Sequence, residues 1–223
     1  MSSYYLKKFD LAAKPKTTHL FLAEGEAEVG LVDQYLNQIG ADFETTSILC
    51  FRGLTKAATF VPTLAKLMEK GATGLDQLRG IGMLADSEND PVARLNMAIQ
   101  FGVALAFPSC SGDIRDLGRH ESRNRRFAVS LSPANDKVGR IENLVLAEVA
   151  NDDVFKCVEQ SFACIAAANG TEVDEKAKVQ MFISAKINSS MAGIQHAFAK
   201  GIFQCAAPVY DPVRSMLDYI LAA

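Results

Sequence analysis

The sequence predicts an α/β fold, a mostly parallel central sheet with helices on both faces and additional C-terminal helices. Three observations carry this. Apolar runs alternate with stretches of helical period in the order β-α-β-α-β-α-β-β as far as residue 133. One run, "RGIGMLAD" (79–86), is almost continuously apolar, as a strand covered on both faces should be. From Gly139 onward the pattern is mostly helical.

The elements follow in order. Residues 1–16 are expected to be an irregular N-terminal arm. "THLFLAE" (18–24) reads as strand one. "EAEVGLVDQYLNQIG" (26–40) reads as an amphipathic helix, with Val29, Leu31, Val32, Tyr35, Leu36 and Ile39 on one face and Gly40 as its stop. "TTSILCFRG" (45–53) is strand two. Residues 54–71 form a helix that Pro62 should break or kink. Strand three, 79–86, is followed by a helix over 90–102 with Asp90 as N-cap and Pro91 in its first position. "ALAFPS" (104–109) is a candidate fourth strand. "RRFAVSLSP" (125–133) is a fifth, in which Phe127, Val129 and Leu131 alternate. Helices are expected over 139–149, 152–168, 173–187 and 212–221, the third capped by Thr171 or Asp174. The chain divides into the arm (1–16), an α/β core (17–138) and a mainly helical part (139–223) packed on that core.

Composition narrows the function. With 223 residues, 49% of them hydrophobic and 22% charged, the chain can bury a large core. A net charge of −3 excludes a globally basic nucleic-acid surface and leaves only a local patch. The best such patch is "DIRDLGRHESRNRR" (113–126), where Arg119, Arg123, Arg125 and Arg126 could meet phosphates from a loop between strands, although Asp113, Asp116 and Glu121 dilute the charge. No run of about 18 apolar residues exists, so no membrane span is expected. The first residues carry no signal-peptide apolar region. Five scattered cysteines without a CxxC pair read as reduced, mostly buried thiols of a cytoplasmic protein. Cys157 and Cys164, seven apart, are expected to share a core-facing side of a helix.

The acids are the most informative feature. In an open α/β sheet the ligand crevice lies beyond the carboxyl ends of the strands. Glu24 ends strand one and Asp86 ends strand three, with Glu88 two residues further on. Three carboxylates in one crevice would repel by a few kcal/mol for a separation of about 4 Å and an effective dielectric near ~20. Either protons are taken up or a divalent cation sits among them. With no histidine or cysteine near in sequence, the hard oxygen donors favour Mg²⁺, or Mn²⁺ in its place. Acids are also common at helix N-termini for dipole reasons alone, and Asp90 and Glu26 are read that way.

"LFLAEGEAEVGLVDQYL" followed by "GIGMLADSEND" resembles the Toprim domain, shared by topoisomerases, primases, recombination mediators and the overcoming-lysogenization-defect nucleases. Glu24-Gly25 matches its Glu-Gly motif. Asp86-Ser87-Glu88 matches its Asp-x-Asp motif, with Glu in place of the second Asp. Glu28 falls where many members carry a further acid. "RFAVSLSPANDKVGRIENLVL" (126–146), "EKAKVQMFISA" (175–185) and "GIFQCAAPVYDPVRSMLDYIL" (201–221) extend the resemblance to an uncharacterised bacterial Toprim-like family. The resemblance implies a Toprim-like fold, Mg²⁺ (or Mn²⁺) as cofactor and Glu24, Asp86 and Glu88 as metal ligands. It further implies Glu142 as an additional catalytic acid. Lys178, or Lys176, would be the lysine near a scissile phosphate. The implied function is phosphodiester cleavage or phosphoryl transfer on nucleic acid or a nucleotide. The alternative is a non-catalytic Toprim-fold module that binds a ligand or partner. Strand passage is set aside, because Tyr4, Tyr5, Tyr35, Tyr210 and Tyr219 lack a distinctive context. A receiver-like domain ranks last, since one acid rather than two ends strand one. A homo-oligomer is left open, the helical third offering a dimer surface or a lid.

Overall fold

The computed structural model describes residues 17–53, part of 56–66, 77–105, 120–122, 125–172, 174–189 and 192–223. The N-terminal arm lies outside the described residues. The described strands form one sheet in the order β2-β1-β3-β5-β4. They are β1 (His19–Ala23), β2 (Thr46–Cys50), β3 (Gly80–Asp86), β4 (His120–Ser122) and β5 (Arg125–Ser132). β2, β1, β3 and β5 are mutually parallel, and β4 is an antiparallel edge on β5. The mostly parallel sheet expected from the sequence is therefore present. The expected strand over 104–109 is not seen where it can be tested, because Ala104 still closes a helix; its remaining residues lie outside the described set.

The helices are α1 (Glu26–Gln38), α2 (Pro91–Ala104), α3 (Ile141–Val149), α4 (Asp153–Asn169), α5 (Glu175–Ile187), α6 (Ile194–Ala199) and α7 (Asp211–Leu221). Of the expected helix over 54–71, the described residues 61–62 and 64–66 are helical, Pro62 among them. The period of two along β1 sorts its side chains between two cores. Phe21 and Ala23 face a core built with α1 and the helices after residue 139, whereas Leu20 and Leu22 face one built with α2 and with Val61 and Leu64. Both faces of the sheet are thus covered by helices, which is why β3 reads as one apolar run.

The helical part after residue 139 packs on the α1 face and shares its core, contributing Val145, Phe155, Phe182, Tyr210 and Ile220. Gln34 of α1 ties it down. Its Nε2 donates to the carbonyls of Phe198 (2.7 Å) and Phe203 (2.8 Å), and its Oε1 accepts from the Cys205 N–H (2.6 Å). α6, which sequence periodicity did not predict, lies directly on α1. Asp90 caps α2 by accepting from Ala93 N–H, and Asp174 rather than Thr171 caps α5.

The cysteine expectation needs correcting. Cys50, Cys157, Cys164 and Cys205 are free thiols, but Cys157 and Cys164 are exposed and only Cys205 is buried. The reason is that α4 turns Phe155 and Val158, with the partly buried Val154 and Phe162, to the core, leaving Cys157 and Cys164 in solvent. Among the described residues no helix is long and apolar enough to cross a membrane.

The α1–α6 contact depends on Gly30. A Cβ there would stand 2.6 Å from the Gln195 Cα, a backbone atom that cannot swing aside. Gly30→Ala is therefore expected to lower stability by about 1–3 kcal/mol through overpacking, outweighing the helix-propensity gain of about 0.5–1 kcal/mol. Thermal unfolding checks this, and an unchanged or raised melting temperature would contradict the close approach.

Candidate metal and phosphate site

Parallel pairing of β1 and β3 sets Ala23 against Leu84, and the ladder continues one step further as Glu24 N–H donates to the Leu84 carbonyl at 2.9 Å. The Glu24 side chain therefore emerges beside the end of β3. Its Oε2 accepts from the Asp86 N–H at 3.1 Å. Gly25, in extended backbone (φ −134°, ψ 179°), then turns the chain into α1. The Glu28 side chain folds back so that its Oε2 accepts from the Gly25 N–H at 2.9 Å, closing the first turn. A Cβ on Gly25 would sit 2.9 Å from that same oxygen, so this turn needs glycine for space. Asp86 faces the N-terminus of α3, where its Oδ1 accepts from the Ile141 N–H at 2.8 Å.

These elements enclose a cleft of 560 Å³ at the carboxyl ends of β1 and β3. Glu24, Glu28, Asp86 and Glu142 line it on the acidic side, with Arg52 and Lys176 as the basic groups on its wall. The sequence reading anticipated the meeting of Glu24 with Asp86, and the structure also brings Glu142 to them.

Burial, with crowding added to it, shows in the protonation of the acids. Glu28 is only 2% exposed, and burial, reinforced by the negative charge of Asp86, pushes its pKa up to about 8. Burial likewise raises Asp86 to about 7; the Ile141 N–H opposes this, while the charges of Glu142, Glu24 and Glu88 add to it. Both groups hold protons at a pH where an ordinary carboxylate has lost them. Some positive charge comes from α2, whose Arg94 Nη2 lies 3.2 and 3.3 Å from the two oxygens of Glu24.

Other expected site residues stand elsewhere. Glu88 adopts left-handed backbone (φ 52°) and pairs through its main chain with Gly139. Its carboxylate is gripped by the Arg140 fork, Nε and Nη2 both at 2.9 Å, and it borders a neighbouring pocket rather than the acidic cleft. Lys178 lies in a groove between α4 and α5 beside Phe162 and Glu159, while Lys176 reaches the cleft. Two residues along a helix turn a side chain by about 200°, so the two lysines cannot share a site. Arg125 and Arg126 begin β5, and Arg126 is in register with Gly80. That is the amino end of the sheet, about 20 Å of strand away from Asp86. There Arg126 donates to the Tyr219 carbonyl (3.0 Å) and covers the Tyr219 ring at 5.0 Å. Arg119 and Arg123 lie outside the described residues. The hydroxyls of Tyr35 and Tyr210 donate to Asp218 and Glu148.

Sequence reasoning missed Arg52 and Arg94. Arg52, before Gly53, sits at φ 55°, a backbone region that ordinary residues seldom occupy and that the sequence does not announce. Nothing in the helical pattern marked Arg94.

The carboxylates of the cleft are hard oxygen donors, the class that a divalent cation such as Mg²⁺ takes. Among the described residues no three His, Cys, Asp or Glu side chains converge on one point. Mg²⁺ does not require that, since it keeps several waters and takes one or two carboxylates plus substrate phosphates. Glu24 and Asp86 are the two carboxylates that could hold such an ion.

Comparison with known proteins supports the fold. No family model matches the chain, and no curated protein sequence matches it. Among solved structures it is similar to the C-terminal region of the Burkholderia pseudomallei OLD protein, at 14% identity and a TM-score of 0.51, covering 92% of this chain and 97% of that one. The C-terminal region of the Xanthomonas campestris pv. campestris OLD protein gives 16% identity and a TM-score of 0.52, with 92% and 94% covered. The Toprim-like fold expected from the Glu-Gly and Asp-x-Glu motifs is the fold observed.

The raised pKa of Glu28 makes a prediction about stability. The folded state keeps a proton that the unfolded chain releases near the ordinary value of 4.5. Stability from this group is therefore complete below that pH and is lost as pH climbs through about 8. Metal-free protein should melt at progressively lower temperature from about pH 5 to about pH 9, and Glu28→Gln should flatten the curve and be the more stable form at the alkaline end. Parallel melting curves for the two proteins would contradict the burial of an acid at this position.

Proposed function

We propose that the cleft holds Mg²⁺ (or Mn²⁺) and acts on a phosphodiester of a nucleic acid or nucleotide. The observation that carries this reading is the bond from the Asp86 N–H to the Glu24 carboxylate, which ties the two acidic residues together at the strand ends, where both line the cleft. The Toprim-like fold supports it, because the resemblance behind that fold implies phosphodiester chemistry at this end of the sheet.

Glu24 and Asp86 are the groups that would hold the ion. When bound, a divalent cation neutralises phosphate charge and acidifies a coordinated water. Lys176 and Arg52, on the cleft wall, bind and orient the phosphate oxygens as point charge and fork respectively. Glu142, in the first turn of α3 and lining the cleft, would serve as the general base for the attacking water. Glu28, wholly buried, holds the first turn of α1 and thereby the direction of Glu24.

A second reading has its own observation. Arg94 bonds to Glu24, and Glu88 is turned to Arg140, so the second acid of the Asp-x-Glu motif is withdrawn from the cleft. This favours a module that binds a phosphorylated ligand or a partner without cleaving it.

Two measurements separate these outcomes. Millimolar Mg²⁺ or Mn²⁺ should raise the melting temperature of the wild type by several degrees and leave Asp86→Ala unmoved. Cleavage of single- or double-stranded DNA or RNA that depends on the ion, and falls by about tenfold to a hundredfold in Lys176→Ala, identifies the enzyme. A metal shift without cleavage identifies the module. The absence of any metal shift in the wild type would remove the reading.

A further inference from the structure

Arg94 touches the acids without lining the cleft. It rises from α2, which packs on the Leu20–Leu22 face of the sheet, whereas the cleft is walled by residues of α1, α3 and α5. Its Nε donates to the Asp86 carbonyl at 3.1 Å. Its Nη2 meets both Glu24 oxygens and lies 3.7 Å from Glu88 Oε1. With 19% of its side chain exposed, it is held between α2 and the end of β3 rather than free in solvent.

We propose that Arg94 is a resident counter-ion that a divalent cation must out-compete at Glu24, so that this side chain sets the metal concentration at which the site fills. This rests on the metal reading above. A guanidinium stays charged at every accessible pH. Fixed on both oxygens of Glu24, it repels a second cation brought to the same carboxylate, and the repulsion is large where water is partly excluded. Without the ion, the same guanidinium gives the crowded acids a positive charge and keeps Glu24 folded onto Asp86. The anchoring bond to the Asp86 carbonyl confines Arg94 to short excursions. It can release Glu24 and remain close to Glu88.

An arginine that only oriented Glu24 would behave in the opposite way, since its loss would loosen the ligand and weaken the metal. The test is binding of Mn²⁺ alone, read from the electron-spin resonance of the free ion, on the full chain as wild type, Arg94→Gln and Arg94→Lys. Arg94→Gln should bind at least about tenfold more tightly than the wild type, and Arg94→Lys, which keeps the charge, should stay near it. Equal or weaker binding by a folded Arg94→Gln overturns the proposal while leaving the metal reading intact. If neither wild type nor Arg94→Gln binds Mn²⁺, the metal reading falls and this one with it. Should Arg94→Gln fail to fold, the wild type decides. Saturating Mg²⁺ should shift the Arg94 Nε–H nuclear resonance, and metal binding that leaves it unmoved overturns the proposal.

Discussion

The hydrogen bond from the Asp86 N–H to the Glu24 carboxylate is the constraint on which the site depends. It exists because β1 and β3 are adjacent and parallel, and because their register sets the last residue of β1, Ala23, against Leu84, two residues short of Asp86. A shift of one residue would turn Glu24 to the opposite face and put Ala23 where the acid should be. The register is fixed in turn by the two cores, since Phe21 and Leu84 must face α1 while Leu22 and Met83 must face α2. The chemistry at the top of the sheet is therefore a consequence of apolar packing beneath it.

That arrangement concentrates negative charge, and the fold offsets it in three ways. Asp86 faces the N-terminus of α3 and accepts its first free N–H. Glu28 keeps a proton through burial and spends one oxygen on the Gly25 N–H. Arg94 crosses from the other face of the sheet to Glu24. The cleft also carries Glu142. On the proposed reading a divalent cation would complete the neutralisation at Glu24 and Asp86, and Lys176 and Arg52 on the cleft wall would meet a phosphate that arrives with it.

The sequence made the parallel part of the sheet legible because each of its strands carried a local signal. The glycine-punctuated run of β3 and the Glu-Gly step after β1 are both short-range patterns, and both strands end within a residue of the expected place. The elements that escaped are those without one. β4 is three residues long and α6 six, too short to show a period. The site residues divide in the same way. Glu24 and Asp86 follow from where parallel strands end. Lys176 and Lys178 differ only in which way a helix faces, and that is decided by the buried Val179, Phe182 and Ile183 rather than by the lysines. Arg125 and Arg126 looked like part of a basic loop, yet they begin a strand at the end of the sheet away from the acidic cleft, where Arg126 covers the Tyr219 ring. The partnership of Arg94 with Glu24 joins residues seventy apart across the sheet and had no sequence signature.

The most direct test of the account is the proton balance of metal binding. Titrating Mg²⁺ into the full chain near neutral pH, in buffers of different ionisation enthalpy, measures how many protons leave as the ion enters. Crowded acids that hold protons in the metal-free state must give them up, so the account predicts net proton release that disappears in Asp86→Asn. Metal binding with no proton release, or with release unchanged by that substitution, would show that the carboxylates at the ends of β1 and β3 are not the groups that hold the ion.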